Sequence, residues 1–572
     1  MRTQVRNAVG LSLAIVDVVA SPLRSDTVFR EDLTHPHCRV VSYAQPKGAA
    51  CSFMASQPCA DRSAVNAINC SGPTAVNATL AGRQLFVDDA LVERLDGLER
   101  RYHYPVKYAG NPVLKAETQF EIPEPPLNKV TLPKGGGMWW DEKDGVFKLW
   151  YEVGWCGTIH YATSPDGISW TRPAIDPKTG DNKIVPSGGV DSWSVVKDPH
   201  CTDPQALYKL YVQPGGQNTH GYASVSADGI HWTPWQKTGK SGDRSTMFYN
   251  PFTREWVFSL RSAWHGRTRN YYACRDFLKE STWEWVDMRT PSTNCVKWLD
   301  TDDLDKPDPV VGERPQLYSF DAVAYESIML GVFEIHRGPD NLVCAERGLP
   351  KITDLEFAYS RDGFKWNRPD RTAAIRSERW GSGKWDTGYV QPLSNLCVIM
   401  GDKLRFYYGA FAGNEEKKWV RGTQRVSARN GMYDNGAMGF AELRRDGFVS
   451  LHADGEGVLT TRPLVFNGEW MFVNADCPNG ELRVEAQDAQ GRVIAPFSFE
   501  NCMPVSADST KAAVKWKGSE SLAQIRGREV RFRFRLRSGD MYAFWVSAWR
   551  TGESGGYLAG GGPGHAGLID RP

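Results

Sequence analysis

SPDGISW at 164–170, SADGIHW at 226–232 and SRDGFKW at 360–366 are three copies of one pattern, S-x-D-G-x-x-W. Asp-Gly is a strong signal for a tight turn, because glycine tolerates positive φ and the aspartate bonds its own backbone. The serine hydroxyl can brace the turn, and the tryptophan can cover it from the next strand. Each copy follows a strand-like run, IHYAT, GYASV or LEFAY. Two weaker copies fill the gaps: YYACRDF at 271–277, which leads to Trp283 and Trp285, and GFAELRRDGF at 439–448, which lacks the tryptophan. A turn repeated five times marks five copies of one structural unit.

Upstream of each copy lies a strand rich in aromatics: VFKLWYE at 146–152, LYKLYVQ at 207–213, EWVFSLR at 255–261, IMLGVFE at 328–334 and LRFYYGA at 404–410. Before these comes a further segment, GVDSWSVVKD, SGDRSTMFYN, YSFDAVAYES or KWDTGYVQPL, and in the first unit GGGMWWDE at 135–142. Each unit therefore reads as four strands, and five such units about an axis make an all-β, five-bladed β-propeller. After about residue 455 the rhythm changes. Val530, Phe532, Phe534 and Leu536 alternate with arginines, the period of a half-buried antiparallel strand, which predicts a C-terminal β-sandwich. The expected division is a poorly ordered leader at 1–80, a propeller at 81–455, a sandwich at 456–550 and a flexible glycine-rich tail at 551–572.

A chain of 572 residues is too long for one ordinary core, which agrees with two domains. A net charge of +1 argues against a nucleic-acid partner, which needs a basic field. The 21 tryptophans suit strands and the faces of sugars alike. The twelve cysteines form no C-x-x-C pair, so a structural zinc or thioredoxin-like site has no support. Arg2 and Arg6 precede an apolar stretch from Val9 to Ala20, interrupted by Asp17. This resembles an export signal and points to a secreted or periplasmic protein. No other segment approaches the length of a membrane span. G-x-G-x-x-G at 562–567 lacks a βαβ context and G-x-S-x-G at 552–556 lacks a strand–helix elbow, so neither is read as a site.

The five repeats, the inner-strand aspartates and the trailing sandwich resemble glycoside hydrolases of families 32 and 43, the invertase, levanase and arabinanase group. RQLFVDDALVERLDGLERRYHYP at 83–105 with NPVL at 111–114 is similar to the opening of uncharacterised bacterial relatives, and the stretch from RPLVF at 462 through MYAF at 541 is similar to the family 32 back domain. The chain departs from the family 32 motifs W-M-N-D-P, R-D-P and E-C: residues 138–142 read MWWDE and 197–199 read Lys-Asp-Pro. The resemblance therefore implies the fold and the reaction class, and it assigns no residue.

Glycoside hydrolysis needs two carboxyl groups, one acid and one base or nucleophile. In a propeller these can converge at the mouth, from the starts of inner strands and the loops after second strands. The inner-strand candidates are Asp191, Asp243, Asp321 and Asp386, with Trp193 and Arg244 beside two of them. The second-strand candidates are Glu152, Gln213, Arg261 and Glu334, with Trp155, Trp264, His265, His336 and Arg337 near them, and Glu121 could enter from the chain before blade one. Asp191 and Asp321 are expected as base, nucleophile or positioning acids, and Glu334 or Glu152 as proton donor. The arginines and histidines suit sugar hydroxyls or a substrate carboxylate. No cofactor is expected, although an axial ring of aspartates could hold calcium. The expected partner is a carbohydrate, with no nucleic acid and no membrane, and the oligomeric state is open. The alternatives are a non-catalytic carbohydrate-binding propeller, a lyase, or a phosphorylase drawing on Arg244, Arg261 and Arg337.

Overall fold

Strand pairing in the computed structural model, which describes residues 81–185, 189–215, 218–284, 294–421 and 429–572, gives five antiparallel blade sheets. Blade one holds Met138–Asp141, Val146–Val153 and Thr158–Ser164, with the short Thr131–Leu132 continuing its inner edge. Blades two and three run Val190–Lys197 to Gln236–Ser241 and Thr246–Asn250 to Val296–Leu299, four strands each in chain order. Blade four runs Gln316–Glu326, Ile328–Gly338, Ile352–Ser360 and Ile375–Arg376. The inner strands neighbour one another in ring order. Second strands such as Val146–Val153 bury both faces because each blade packs between two others, so their sequences read as continuous apolar runs without alternation.

Blade five closes the ring. Its first three strands are Gly388–Met400, Lys403–Phe411 and Gly436–Arg444, and its fourth is Val106–Lys107 from the start of the described chain, paired with Ala441 and Glu442. The Asp-Gly of the fifth copy, at 446–447, therefore does not turn into a fourth blade strand. It leads out of the propeller into Val449–Thr461.

The three full repeats form one construction. In the second, the Gly229 amide donates to Ser226 Oγ (2.9 Å), and the Ile230 and His231 amides donate to Asp228 Oδ1 (2.8 and 2.9 Å). The turn also grips the preceding blade, since Trp150 Nε1 donates to the Gly229 carbonyl (2.7 Å). Tyr407 of blade five does the same to Gly167 of blade one (2.9 Å), and Asn250 of blade three to Asp362 of blade four (2.8 Å). Gly229 has φ +81°, and a Cβ there would lie 2.2 Å from the Trp150 ring. Gly229→Ala is expected to destabilise the chain by about 3 kcal/mol, through strain and overpacking together, read as a lowered urea midpoint. An unchanged midpoint would remove the clamp from the account.

Behind the propeller, one eight-stranded antiparallel sheet is built on Val449–Thr461 and Val530–Ser547. Both strands break register, at 453/456 and near Ser538, whose φ is +47°. The sheet folds over there, and its two halves share one core of Leu451, Leu459, Val473, Val484, Phe532, Phe534 and Phe544. The alternation from Val530 to Leu536 appears as alternately buried and half-buried side chains. The division of the chain differs from the expected one in two respects. Gln84–Leu85, Val92–Asp96 and Glu99–Tyr102 belong to this sheet and not to the propeller. The tail from 551 is fixed rather than loose: Tyr557–Leu558 pairs with the inner strand of blade four, and the Gly560 carbonyl accepts from the Trp140 amide (2.9 Å). A buried network ties the parts together, in which Arg83 pairs with Asp446 (2.8 Å) and stacks on Trp545 (4.1 Å).

The expected export signal and leader at 1–80 lie outside the described residues, as does Trp285. Among the described residues no helix is long and apolar enough to cross a membrane.

Candidate active site

The starts of the inner strands and the ends of the second strands meet at one end of the ring, as the pairs Leu132 with Glu152, Ser192 with Gln213, Gln316 with His336 and Gly388 with Phe411 show. In blade one the inner edge is interrupted by Pro133 to Gly137, and the interruption delivers Lys134 where other blades carry an aspartate. A Cβ on Gly136 would fall 2.4 Å from the ring of Trp193, so glycine lets this loop pass close against blade two. Four non-glycine residues of the mouth have left-handed backbone: Lys134 (φ 29°), Cys156 (49°), Arg244 (56°) and Tyr389 (54°). Such strain costs of order 1 kcal/mol or more each and gathers at functional sites.

The charges form two buried groups. In the first, the fully buried Lys134 ammonium lies 3.1 Å from Asp191 Oδ1 and 3.3 Å from Glu152 Oε2. The Cys156 amide donates to Glu152 Oε1 (2.7 Å), and its thiol lies 3.5 Å from both Lys134 Nζ and Asp191 Oδ1. Burial pulls Asp191 upward, but the Lys134 charge and hydrogen bond outweigh it and hold the carboxyl below its ordinary value. Burial raises Glu152, and the Asp191 charge adds to it against the pull of Lys134. Two carboxyl groups on one ammonium are thus driven in opposite directions. Burial, then the Asp191 charge, lifts the Cys156 thiol well above its usual range, which makes it a poor nucleophile. Asp191 keeps some access to solvent, with 17% of its side chain exposed.

In the second group Arg244 pairs with Glu334 (2.9 Å) in full burial, and Arg269 Nη1 donates to the Arg244 carbonyl (2.7 Å). Asp321 lies near them without a hydrogen-bond partner on either carboxylate oxygen. The neighbouring Thr246 hydroxyl donates instead to the Phe320 carbonyl (2.6 Å). Burial raises the Asp321 carboxyl to about 7 despite Arg244. Burial also raises Glu334 against the opposing charge of Arg244. Asp243 and Arg261 form an ion pair with about a fifth of each side chain exposed.

Of the residues expected from sequence, Asp191, Asp243, Glu152, Glu334, Arg244, Arg261, Trp155 and His336 come to the mouth. Trp155 stacks on Tyr433 (4.0 Å between centroids), with Lys134 over its ring (4.4 Å). Trp264 lies at the rim, in the loop after Glu255–Ser262, with Lys297 over its ring (5.3 Å). The others go elsewhere. Asp321 is the sixth residue of its strand rather than the first or second, so it sits deeper than Asp191. Asp386 turns to the flank of blade five, where it accepts from Tyr408 (2.9 Å) and pairs with Lys107 (2.8 Å). Trp193 is core, 1% exposed. Glu121 anchors the outside of blade one through Tyr151 (2.8 Å) and Arg172 (3.1 Å). His265 faces Asp300 and Arg314 (2.8 Å each) on the surface. Arg337 points into an ion network with Asp354 (3.2 Å) and Glu356 (2.6 Å), away from the mouth. The inner-strand aspartates therefore do not form an axial ring for calcium, and among the described residues no group of three or more His, Cys, Asp or Glu is placed to hold a metal ion. A phosphate pocket of Arg244, Arg261 and Arg337 is not assembled either.

Lys134, Tyr318, Tyr389, Lys351 and Arg267 were not legible as site residues. Only Lys134 left a signal, the Pro-Lys-Gly-Gly-Gly run that breaks the strand pattern of blade one.

No family model and no curated protein matches the chain. Solved structures do. An N-acetylgalactosamine deacetylase from F. plautii is similar at 15% identity over 62% of this chain and 97% of that one, with a TM-score of 0.38. A GH62 α-L-arabinofuranosidase catalytic domain from Coprinopsis cinerea is similar at 10% identity over 59% and 97%, TM-score 0.35. A family 32 glycoside hydrolase from Bifidobacterium adolescentis is similar at 11% identity over 79% and 83%, TM-score 0.32. At these values the five-bladed fold rests on the strand pairing above, not on the likenesses.

Proposed function

We propose that the chain is a glycoside hydrolase working at the propeller mouth, with Asp191 as the carboxylate that acts on the sugar and Glu152 as the proton donor. The observation that carries this is the placement of two carboxyl groups on one buried ammonium, Lys134, at 3.1 and 3.3 Å. Its charge holds Asp191 ionised while burial pushes Glu152 toward its acid form, which is how one site runs acid and base chemistry together. Glu152 would protonate the glycosidic oxygen as its bond to the anomeric carbon breaks. Asp191 would take that carbon, and water would then release the sugar, with its proton returned to Glu152. The two carboxyls touch the same ammonium, so their nearest oxygens lie no farther apart than the sum of those two contacts. That favours direct attack with retention over a water-spaced pair, which needs roughly 6.5–9.5 Å.

A second reading, sugar binding without cleavage, is favoured by the ion pairing of Glu152, Asp243 and Glu334. A panel of nitrophenyl furanosides, nitrophenyl pyranosides and plant or algal polysaccharides, run beside Glu152→Gln, separates the two. Release by the parent is expected, with loss of roughly 10²–10⁴-fold in the variant for substrates with poor leaving groups. Sugar binding with no release from any substrate would leave the binding module. Undiminished release by Glu152→Gln would mean that the proton comes from elsewhere.

A further inference from the structure

Pairing off the charges of the mouth leaves a remainder on the side of blades four and five. Glu152 and Asp191 share Lys134, Glu334 holds Arg244 and Asp243 holds Arg261. Lys351, just before Ile352–Ser360, is 2% exposed, and among the described residues no carboxylate lies within ion-pair distance of it. Its ammonium rests 4.9 Å from the ring centres of both Tyr318 and Tyr389, whose hydroxyls are joined at 2.8 Å. His336, 1% exposed, is stacked on Tyr318 (6.0 Å), and neither ring nitrogen has a partner. Arg267 lies over the same tyrosine (5.5 Å). It donates to Gln316 Oε1 (3.1 Å), and its Nε is unpartnered.

Three cationic or proton-donating groups thus crowd two tyrosine faces with no anion among them. Burial, then the Arg267 charge, holds the Lys351 ammonium well below the usual lysine range, and burial, Arg267 and Lys351 act in the same direction on His336. A buried cation facing other cations is unfavourable by itself. It becomes favourable when an anion enters, because hydrogen bonds to a charged group in a water-poor site are the strong ones. The aromatic floor suits the face of a sugar ring.

We propose that Lys351, with His336 and Arg267 beside it over Tyr318 and Tyr389, receives a carboxylate or sulfate group on the sugar, so that the chain acts on acidic rather than neutral glycans. This rests on the mouth being a carbohydrate site. The test is titration calorimetry at low ionic strength with galacturonate and glucuronate as carboxylate probes, galactose 6-sulfate as the sulfate probe, and galactose and glucose as neutral ones. At least one acidic sugar is expected to bind about tenfold or more tighter than its neutral counterpart, and the tighter arm identifies the anion. Lys351→Met is expected to abolish that preference, bringing acidic and neutral sugars to equal affinity, with Lys351→Arg restoring part of it. Lys351→Met also removes an uncompensated buried charge, so its melting temperature without ligand should rise, which keeps the result from being a failure to fold. Equal binding of neutral and acidic sugars, or an acidic preference that survives Lys351→Met, overturns the proposal while leaving the carbohydrate reading in place. If no sugar binds, inorganic sulfate decides. Thermal protection of the parent but not of Lys351→Met keeps the anion site and sinks the sugar, and no protection of either sinks both.

Discussion

Asp191→Asn is expected to lower turnover by roughly 10³-fold or more while leaving the fold intact. Asparagine keeps the size of the side chain, and Glu152, relieved of the Asp191 charge, ionises more readily beside Lys134, so no buried cation is stranded. What disappears is the carboxylate that Lys134 holds ionised. The pH profile separates this role from a structural one. In the parent, the acid limb should reflect Asp191, below the ordinary aspartate range, and the basic limb should reflect Glu152, above the ordinary glutamate range. In the variant the acid limb should vanish from whatever activity remains. The basic limb should move down, because Asp191 contributes to the elevation of Glu152. Full activity in Asp191→Asn, or an unchanged profile, would move the chemistry away from this pair.

The fold was legible in the chain because its repeat is local. Ser226, Asp228 and Gly229 close their turn through contacts within a few residues, and the same geometry recurs wherever the same letters do. The ring closure was not legible, since Val106–Lys107 is two residues long and its pairing with Glu442 and Ala441 spans most of the chain. The site was half legible for the same reason. Strand ends such as Glu152, Asp191 and Arg261 announce themselves by position in the repeat. Asp321 and Asp386 hold similar places in their segments, but the inner strand of blade four begins five residues before Asp321, against one before Asp191 in blade two, and Asp386 turns outward to Lys107. Depth along a strand and the direction of a side chain before it are set by packing, not by spacing. Lys351 and Tyr389 meet across two blades, and nothing in either local sequence marks them.

Asp321→Asn is expected to make the chain more stable at neutral and alkaline pH, by on the order of 4 kcal/mol at pH 8, and to leave it nearly unchanged at pH 4. The sign follows from the protons bound. The carboxyl titrates near 3.8 when unperturbed and about 7 in the folded chain. Between those values the folded chain holds a proton that the unfolded chain has lost, so stability falls as pH rises from about 4 to 7 and is flat in this respect above. Each unit of displacement is worth about 1.4 kcal/mol. Asparagine cannot ionise and escapes the loss. Glu152, Glu334 and Glu356, which burial also raises, are present in both chains, so the difference between the two stability curves isolates Asp321. Urea midpoints at pH 4 and 8 provide the measurement, and parallel curves would mean that Asp321 finds a partner in solution. A buried, unpartnered carboxyl that weakens the fold under working conditions needs a reason to be there. If Asp321→Asn gains stability and loses turnover, the acid is held beneath Arg244 and Glu334 for the chemistry of the mouth, as active sites commonly trade one for the other. If it gains stability and keeps turnover, Asp321 belongs to the scaffold alone.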